Sequence, residues 1–181
     1  MASRFHSRLR ALPNLIHNWA TSLGERPYPD NPRRILIAHH LLLGDTLMLT
    51  PLLKKLRSQH QGAHIVMATP KAIVPLYSGR PYGIEVYGYD PKDPHSLEKL
   101  KHPDGYDLAI VPGDNRYSWL AYAAGARHIV AFAGDRPAYK SWPVDTLIEY
   151  PNYPMAWADM VATLVPGEAP LPYSTSEWPT P

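Results

Sequence analysis

From Arg34 onward, short apolar runs alternate with helix-like segments, and this constrains the fold more than any other feature of the chain. The strand-like runs are "ILIA", "HIVMA" (His64 to Ala68), "IEVYGY", "DLAIVP" (Asp107 to Pro112), "HIVAF" (His128 to Phe132) and "TLIEY". Between and after them lie Thr46 to Gln59, Lys71 to Ser78, "HSLEKLK", "RYSWLAYAAG" and a final segment near Met155 to Leu164. Strands that alternate with helices imply a parallel sheet covered on both faces, because each crossover lays a helix on the sheet. "ILIA" and "LAIV" are apolar at every position, as central strands buried on both faces require. The expected class is therefore α/β, a Rossmann-like parallel sheet with helices on both faces.

Three regions follow from composition. Residues 1–33 form a basic N-terminal arm and a linker containing Pro27, Pro29 and Pro32; residues 34–165 form the α/β domain; residues 166–181 form a Pro-rich interdomain linker or tail. In the arm, Phe5, Leu9, Leu12, Ile16, Trp19 and Leu23 recur at spacings of four and three, with Arg4, His6, Arg8 and Arg10 interleaved. That is an amphipathic stripe, broken at Pro13. Two readings stand: the stripe docks on the domain's own surface, or it lies on an anionic membrane surface.

The 181 residues carry 18 basic and 16 acidic side chains, so no broad positive surface calls for a nucleic-acid partner. Cysteine is absent, which removes disulfides, thiolate metal sites and Cys nucleophiles. A cytoplasmic location is expected, with residues 1–23 as the contact if the chain sits peripherally at the inner membrane.

In an open parallel sheet, ligands bind beyond the carboxyl ends of the strands, where strand order reverses. The first such loop is "HHLLLGD", which places Asp45 at or near the N-cap of the next helix. Asp45 suits two roles there: a cap for first-turn amides, or a general base for a substrate hydroxyl. Gly44 lets a ligand approach the backbone, and the amides of the helix start favour phosphate. Neither a G-x-G-x-x-G fingerprint nor a P-loop is present. His60 and His64 straddle Gly62, so they lack the helical geometry of a paired metal site, and no metal or cofactor is expected. "GDNRYS" reads as a strand-end turn that caps a helix, or as a ligand loop. Arg136 and Lys140 in "AGDRPAYKSW" are either a solvated basic loop or contacts for an anionic acceptor.

The succession "RILIAHHLLLGDTLMLTPLLKKLR", "GAHIVMATP", "YGIEVYGYD", "YDLAIVP" and "WLAYAAGARHIVAFAGDR" resembles the N-terminal half of glycosyltransferase family 9, the lipopolysaccharide heptosyltransferases. The resemblance implies the GT-B architecture, with the acceptor held by this half and a nucleotide-sugar donor by a second. It implies inversion at the anomeric carbon, with Asp45 as general base. The substrate-binding residues it points to are His39, Gly44, Thr46, Lys92, Arg136 and Lys140. The acceptor expected is an anionic glycan or lipid-linked glycan. Two departures stand out: His39 replaces a basic residue, and Leu41 and Leu42 replace small ones.

The resemblance leads us to expect that the donor half is missing from this polypeptide, so negligible transferase activity is expected of it alone. Two other classes compete: a stand-alone non-catalytic module that binds a glycan or a protein, and an unrelated flavodoxin-like or nucleotide-binding domain.

Overall fold

The computed structural model describes residues 26–168 and Pro179; the amphipathic stripe of residues 5–23 lies outside the described residues. Six strands form one sheet: β1 (Arg34–Ala38), β2 (His64–Thr69), β3 (Glu85–Gly88), β4 (Leu108–Val111), β5 (Ile129–Phe132) and β6 (Thr146–Ile148). Every pairing is parallel and the order is β3-β2-β1-β4-β5-β6. Strand order reverses between β1 and β4, the position at the carboxyl edge where open α/β sheets bind ligands. All four residues of β4 and of β5 are buried, which explains why these strands read as unbroken apolar runs.

Among the described residues five α-helices accompany the strands: α1 (Leu43–Leu47), α2 (Thr50–Gln59), α3 (Pro94–Glu98), α4 (Ser118–Ala123) and α5 (Trp157–Ala162). One face of the sheet packs Ile35, Ile37 and Met67 under Leu52, Leu53 and Leu56 of α2 and Val161 of α5. The other packs Leu36, Ala109 and Ala131 under Leu100 and under Leu120 and Tyr122 of α4. Alternate residues of each strand thus serve opposite cores, as a period of two demands.

Where the sequence suggests one helix from Thr46 to Gln59, the chain makes two. Pro51 has no N–H to give the carbonyl of Leu47, and its ring crowds that turn. The Thr50 hydroxyl takes over the acceptor, donating to Leu47 O at 2.7 Å. The segment 71–77 is a 3₁₀ turn that contains Pro75. Lys55 on α2 is 3% exposed and its Nζ donates to Ala162, Val165 and Gly167 carbonyls at 3.1, 2.7 and 3.0 Å, tying α2 to the end of α5.

Candidate functional site

The loop after β1 and the loop after β4 meet at the carboxyl edge. A Cβ on Gly113 would lie 2.8 Å from Leu41 Cδ2, so a larger residue there would push the Leu41 side chain aside. Beside that contact His40 stacks on Tyr117, ring centroids 5.9 Å apart and planes within 5°. Sequence reasoning singled out neither ring, because nothing local marks two residues 77 positions apart as a pair. Leu41 turns inward onto the core, whereas Leu42 is 78% exposed.

Asp45 sits in the first turn of α1 and is exposed. It is not the cap: Leu42 holds that position, and no side chain caps the helix. The reason is that α1 begins two residues before Asp45, so its carboxylate is already inside the first turn. No hydrogen bond or ion pair engages that carboxylate among the described residues. The helix dipole favours a negative charge there, and the charge faces solvent at the carboxyl edge. Gly44 is also exposed, and a Cβ on it would meet nothing within 4 Å, so the protein itself does not require glycine at this position.

His39 and Thr46 lie beneath this surface. Thr46 is fully buried and its hydroxyl donates to Leu42 O at 2.8 Å. His39 is fully buried at the end of β1, its Nδ1 accepting from Leu41 N–H at 3.2 Å, while Nε2 has no partner. Any contribution either makes to a ligand is therefore indirect, through the shape of the loop. Burial, aided by His40, pulls the His39 pKa down to about 3. The unfolded group titrates near its ordinary value of about 6.5. Stability from keeping His39 neutral is thus full above that value and is lost as pH falls toward the folded one. Between pH 7 and pH 5 the loss is about 2 kcal/mol. Urea unfolding at the two pH values should show it, and His39→Gln should remove that part of the slope; an unchanged slope would contradict the assignment.

The loop after β5 holds the basic residues. Arg136 is exposed and has no ion-pair partner among the described residues. Lys140 differs: its ammonium is 2.9 Å from Asp135 and 3.3 Å from Asp114, with a side chain only 13% exposed. The Asp135 hydrogen bond leads the interactions that raise its pKa, so it stays charged. Asp114 caps the short turn 115–117 by accepting from Arg116 N–H, and pairs with the Arg116 guanidinium. Burial raises its pKa, but the Arg116 and Lys140 contacts outweigh that and hold it at about 2. Buried Asn115 completes the knot: its Nδ2 donates to Phe132 O and Ser141 Oγ, and its N–H to Asp135. "GDNRYS" is thus a capping turn, and Lys140 locks it to the β5 loop.

Lys92 is exposed in the loop after β3, where its N–H donates to Asp90 Oδ1. By strand count β3 and β5 each stand two places from β1, about 10 Å to either side. Asp45, Gly44, Arg136 and Lys92 therefore all lie beyond the same carboxyl edge of the sheet, with Arg136 and Lys92 to opposite sides of Asp45. Among the described residues no group of three His, Asp or Glu side chains is placed to hold a metal ion. No helix of the described residues is long and apolar enough to cross a membrane.

No protein-family model and no curated protein matches the chain. Solved structures do. A family 9 glycosyl transferase from Veillonella parvula superposes with a TM-score of 0.58 at 20% identity, over 73% of this chain and 40% of that one. The E. coli heptosyltransferase WaaC with ADP gives 0.61 at 15%, over 72% and 45%. The E. coli ADP-heptose lps heptosyltransferase II gives 0.55 at 18%, over 80% and 47%. The chain spans less than half the length of each of these structures. At such identities the likeness concerns the fold: this chain has the α/β Rossmann-like fold found within glycosyltransferase family 9 and heptosyltransferase structures.

Proposed function

We propose that the chain is the acceptor-binding half of an inverting glycosyltransferase, one that moves a heptose-like sugar from a nucleotide-sugar to a lipopolysaccharide-type glycan. The observation that carries this reading is Asp45, an exposed carboxylate without a partner among the described residues, in the first turn of α1, beside the point where strand order reverses. Carboxylates kept for structure are normally paired or capping; this one is available for a proton.

In the reaction the acceptor hydroxyl oxygen attacks the anomeric carbon as the bond from that carbon to the diphosphate oxygen breaks. Asp45 takes the hydroxyl proton, the nucleoside diphosphate leaves with the bonding electrons, and attack from the opposite face inverts the centre. Arg136 binds an anionic group of the acceptor, and Lys92 reaches a more distant one. Gly44 leaves the backbone open to the sugar. The donor is held by a second domain of the transferase, and water is kept out only when the two halves close, so this half alone turns over negligibly.

Calorimetry with an anionic inner-core oligosaccharide tests the acceptor reading. The chain should bind it, and Arg136→Gln should weaken binding about 5- to 10-fold, the value of one charge-assisted contact. Binding unaffected by Arg136→Gln would remove that residue from the site. Rapid transfer by this chain alone from nucleotide-sugar to acceptor would refute the half-site reading.

One observation favours the non-catalytic alternative. Leu42, Leu43 and Met48 are 78, 54 and 47% exposed around Asp45, an apolar rim suited to a covering domain or protein. If Asp45 only borders a docking face, its replacement leaves transfer untouched.

A further inference from the structure

The 3₁₀ turn Ala138–Ser141, in the connection from β5 to β6, is built inside out. Burial favours aromatic rings and penalises a lysine, yet in this turn the lysine goes in and the rings stay out. Lys140 is drawn inward between Asp135 and Asp114, and Ser141 Oγ accepts from Nδ2 of buried Asn115 at 2.9 Å. Tyr139 is 46% exposed, and Trp142, which ends the turn, is 74% exposed. Residues three apart eclipse in a 3₁₀ turn, so the Tyr139 and Trp142 side chains leave on one side, about 6 Å apart along its axis.

The inner side of the turn is tied to α4 and to the loop after β4. Ser118 Oγ donates to Lys140 O at 2.6 Å and Trp119 Nε1 to Tyr139 O at 3.0 Å. The contacts of Lys140 with Asp114 and of Ser141 with Asn115 set the turn at the carboxyl edge of the sheet. None of these bonds uses either ring, so both are presented on a backbone fixed beforehand.

The charges around the turn leave one cation over. Asp114 and Asp135 are matched by Arg116 and Lys140, whereas exposed Arg136, two residues before the turn, has no ion-pair partner among the described residues. From Gly134 to Pro143 there is no Leu, Ile or Val. A stable protein interface draws on about 20–30 residues a side, and this patch is confined to one short loop. It suits a small ligand with an apolar face and a negative charge. A sugar that bears an acid is such a ligand: its C–H bonds offer a weakly positive face to the negative face of a ring, and its acid accepts from a guanidinium.

We propose, resting on the acceptor reading above, that Tyr139 and Trp142 form a stacking platform for an acid-bearing sugar unit of the acceptor, with Arg136 on its anionic group. β5 stands two strands from β1, so the platform lies roughly 10 Å to the side of the loop that carries Asp45 and takes a unit removed from the reacting hydroxyl.

Proton NMR and calorimetry of the full 181-residue chain with an anionic inner-core oligosaccharide test the platform. Ring currents should move C–H resonances of one sugar unit upfield, and Trp142→Ala should abolish that shift and weaken binding about 3- to 10-fold. Trp142→Phe should keep most of both. Arg136→Gln should weaken binding yet leave the shift in the saturated complex. Because the bonds that hold the turn use neither ring, Trp142→Ala and Tyr139→Ala should leave the fold intact. Binding and shifts unchanged in both alanine variants would overturn the platform, and an Arg136→Gln variant that still binds more weakly would show that the acceptor reading survives. No binding by the wild-type chain would overturn both. A dimer in sedimentation that Trp142→Ala dissociates would assign the rings to a second copy of the chain and overturn the platform as well.

Discussion

Asp45→Asn in the complete transferase should lower the rate of sugar transfer roughly 10²- to 10⁴-fold, the usual contribution of a positioned general base. This corresponds to about 3–5.5 kcal/mol of transition-state stabilisation. Asparagine keeps the size and one acceptor oxygen but cannot take a proton at neutral pH. The fold should not suffer, because Asp45 is exposed and bonds no neighbour among the described residues. Loss of a negative charge from the first helical turn costs at most about 1 kcal/mol. Steady-state kinetics beside a urea unfolding curve separates the two effects. A large fall in kcat at nearly constant stability supports the base; wild-type kcat in a folded variant removes it and leaves the docking-face reading of the Leu42, Leu43 and Met48 rim.

The sheet was legible in the sequence because its strands carry their burial in their composition. Ile35, Leu36, Ile37 and Ala38 are apolar without alternation, and each is fully buried. The position of Asp45 in the loop after β1 was equally legible, since the order strand, loop, helix places it at the carboxyl edge. That it does not cap the helix was not. A helix start depends on where the first turn closes, and here it closes two residues earlier, at Leu43.

Side-chain depth was also beyond one-dimensional reading. His39 and His40 are adjacent, yet one is fully buried and the other stacks on Tyr117 at the surface. Arg136 and Lys140 look alike as basic loop residues. Only the fold brings Asp114 from another loop against Lys140 and leaves Arg136 without a carboxylate among the described residues.

The same limit hides the side chain with the largest expected effect on stability. In "LLKKLR", Lys54 and Lys55 are indistinguishable by type, but Lys55 is 3% exposed and donates to three carbonyls at the end of α5. Those carbonyls belong to the last turn of the helix and beyond, where intrahelical partners run out; Ala162 O keeps one long bond from Val165 N–H at 3.4 Å. A positive charge at a helix C-terminus is favourable, and here it also closes the chain against α2. Burial lowers the Lys55 pKa, which shows the ammonium held at some desolvation cost that the three acceptors offset. Gln59 adds a fourth bond to the same exit, Nε2 to Pro166 O at 2.9 Å.

Lys55→Met keeps the aliphatic stem and removes the donor. Buried carbonyls left without a partner cost about 1–3 kcal/mol each in the worst case, tempered by water entry at an edge, so a net loss of about 3 kcal/mol is expected. For a chain of this length that is a fall of roughly 6–12 °C in Tm. Hydrogen exchange should locate the damage in α5 and in residues 163–168 before the strands respond, because the clamp is local to them. A variant with wild-type Tm would mean that water serves these carbonyls as well as the lysine does. If exchange rises uniformly instead, Lys55 supports the whole α2 face and not the exit alone. Should it rise at the exit only, Lys55 and Gln59 act as a local clamp that holds residues 163–168 against α2.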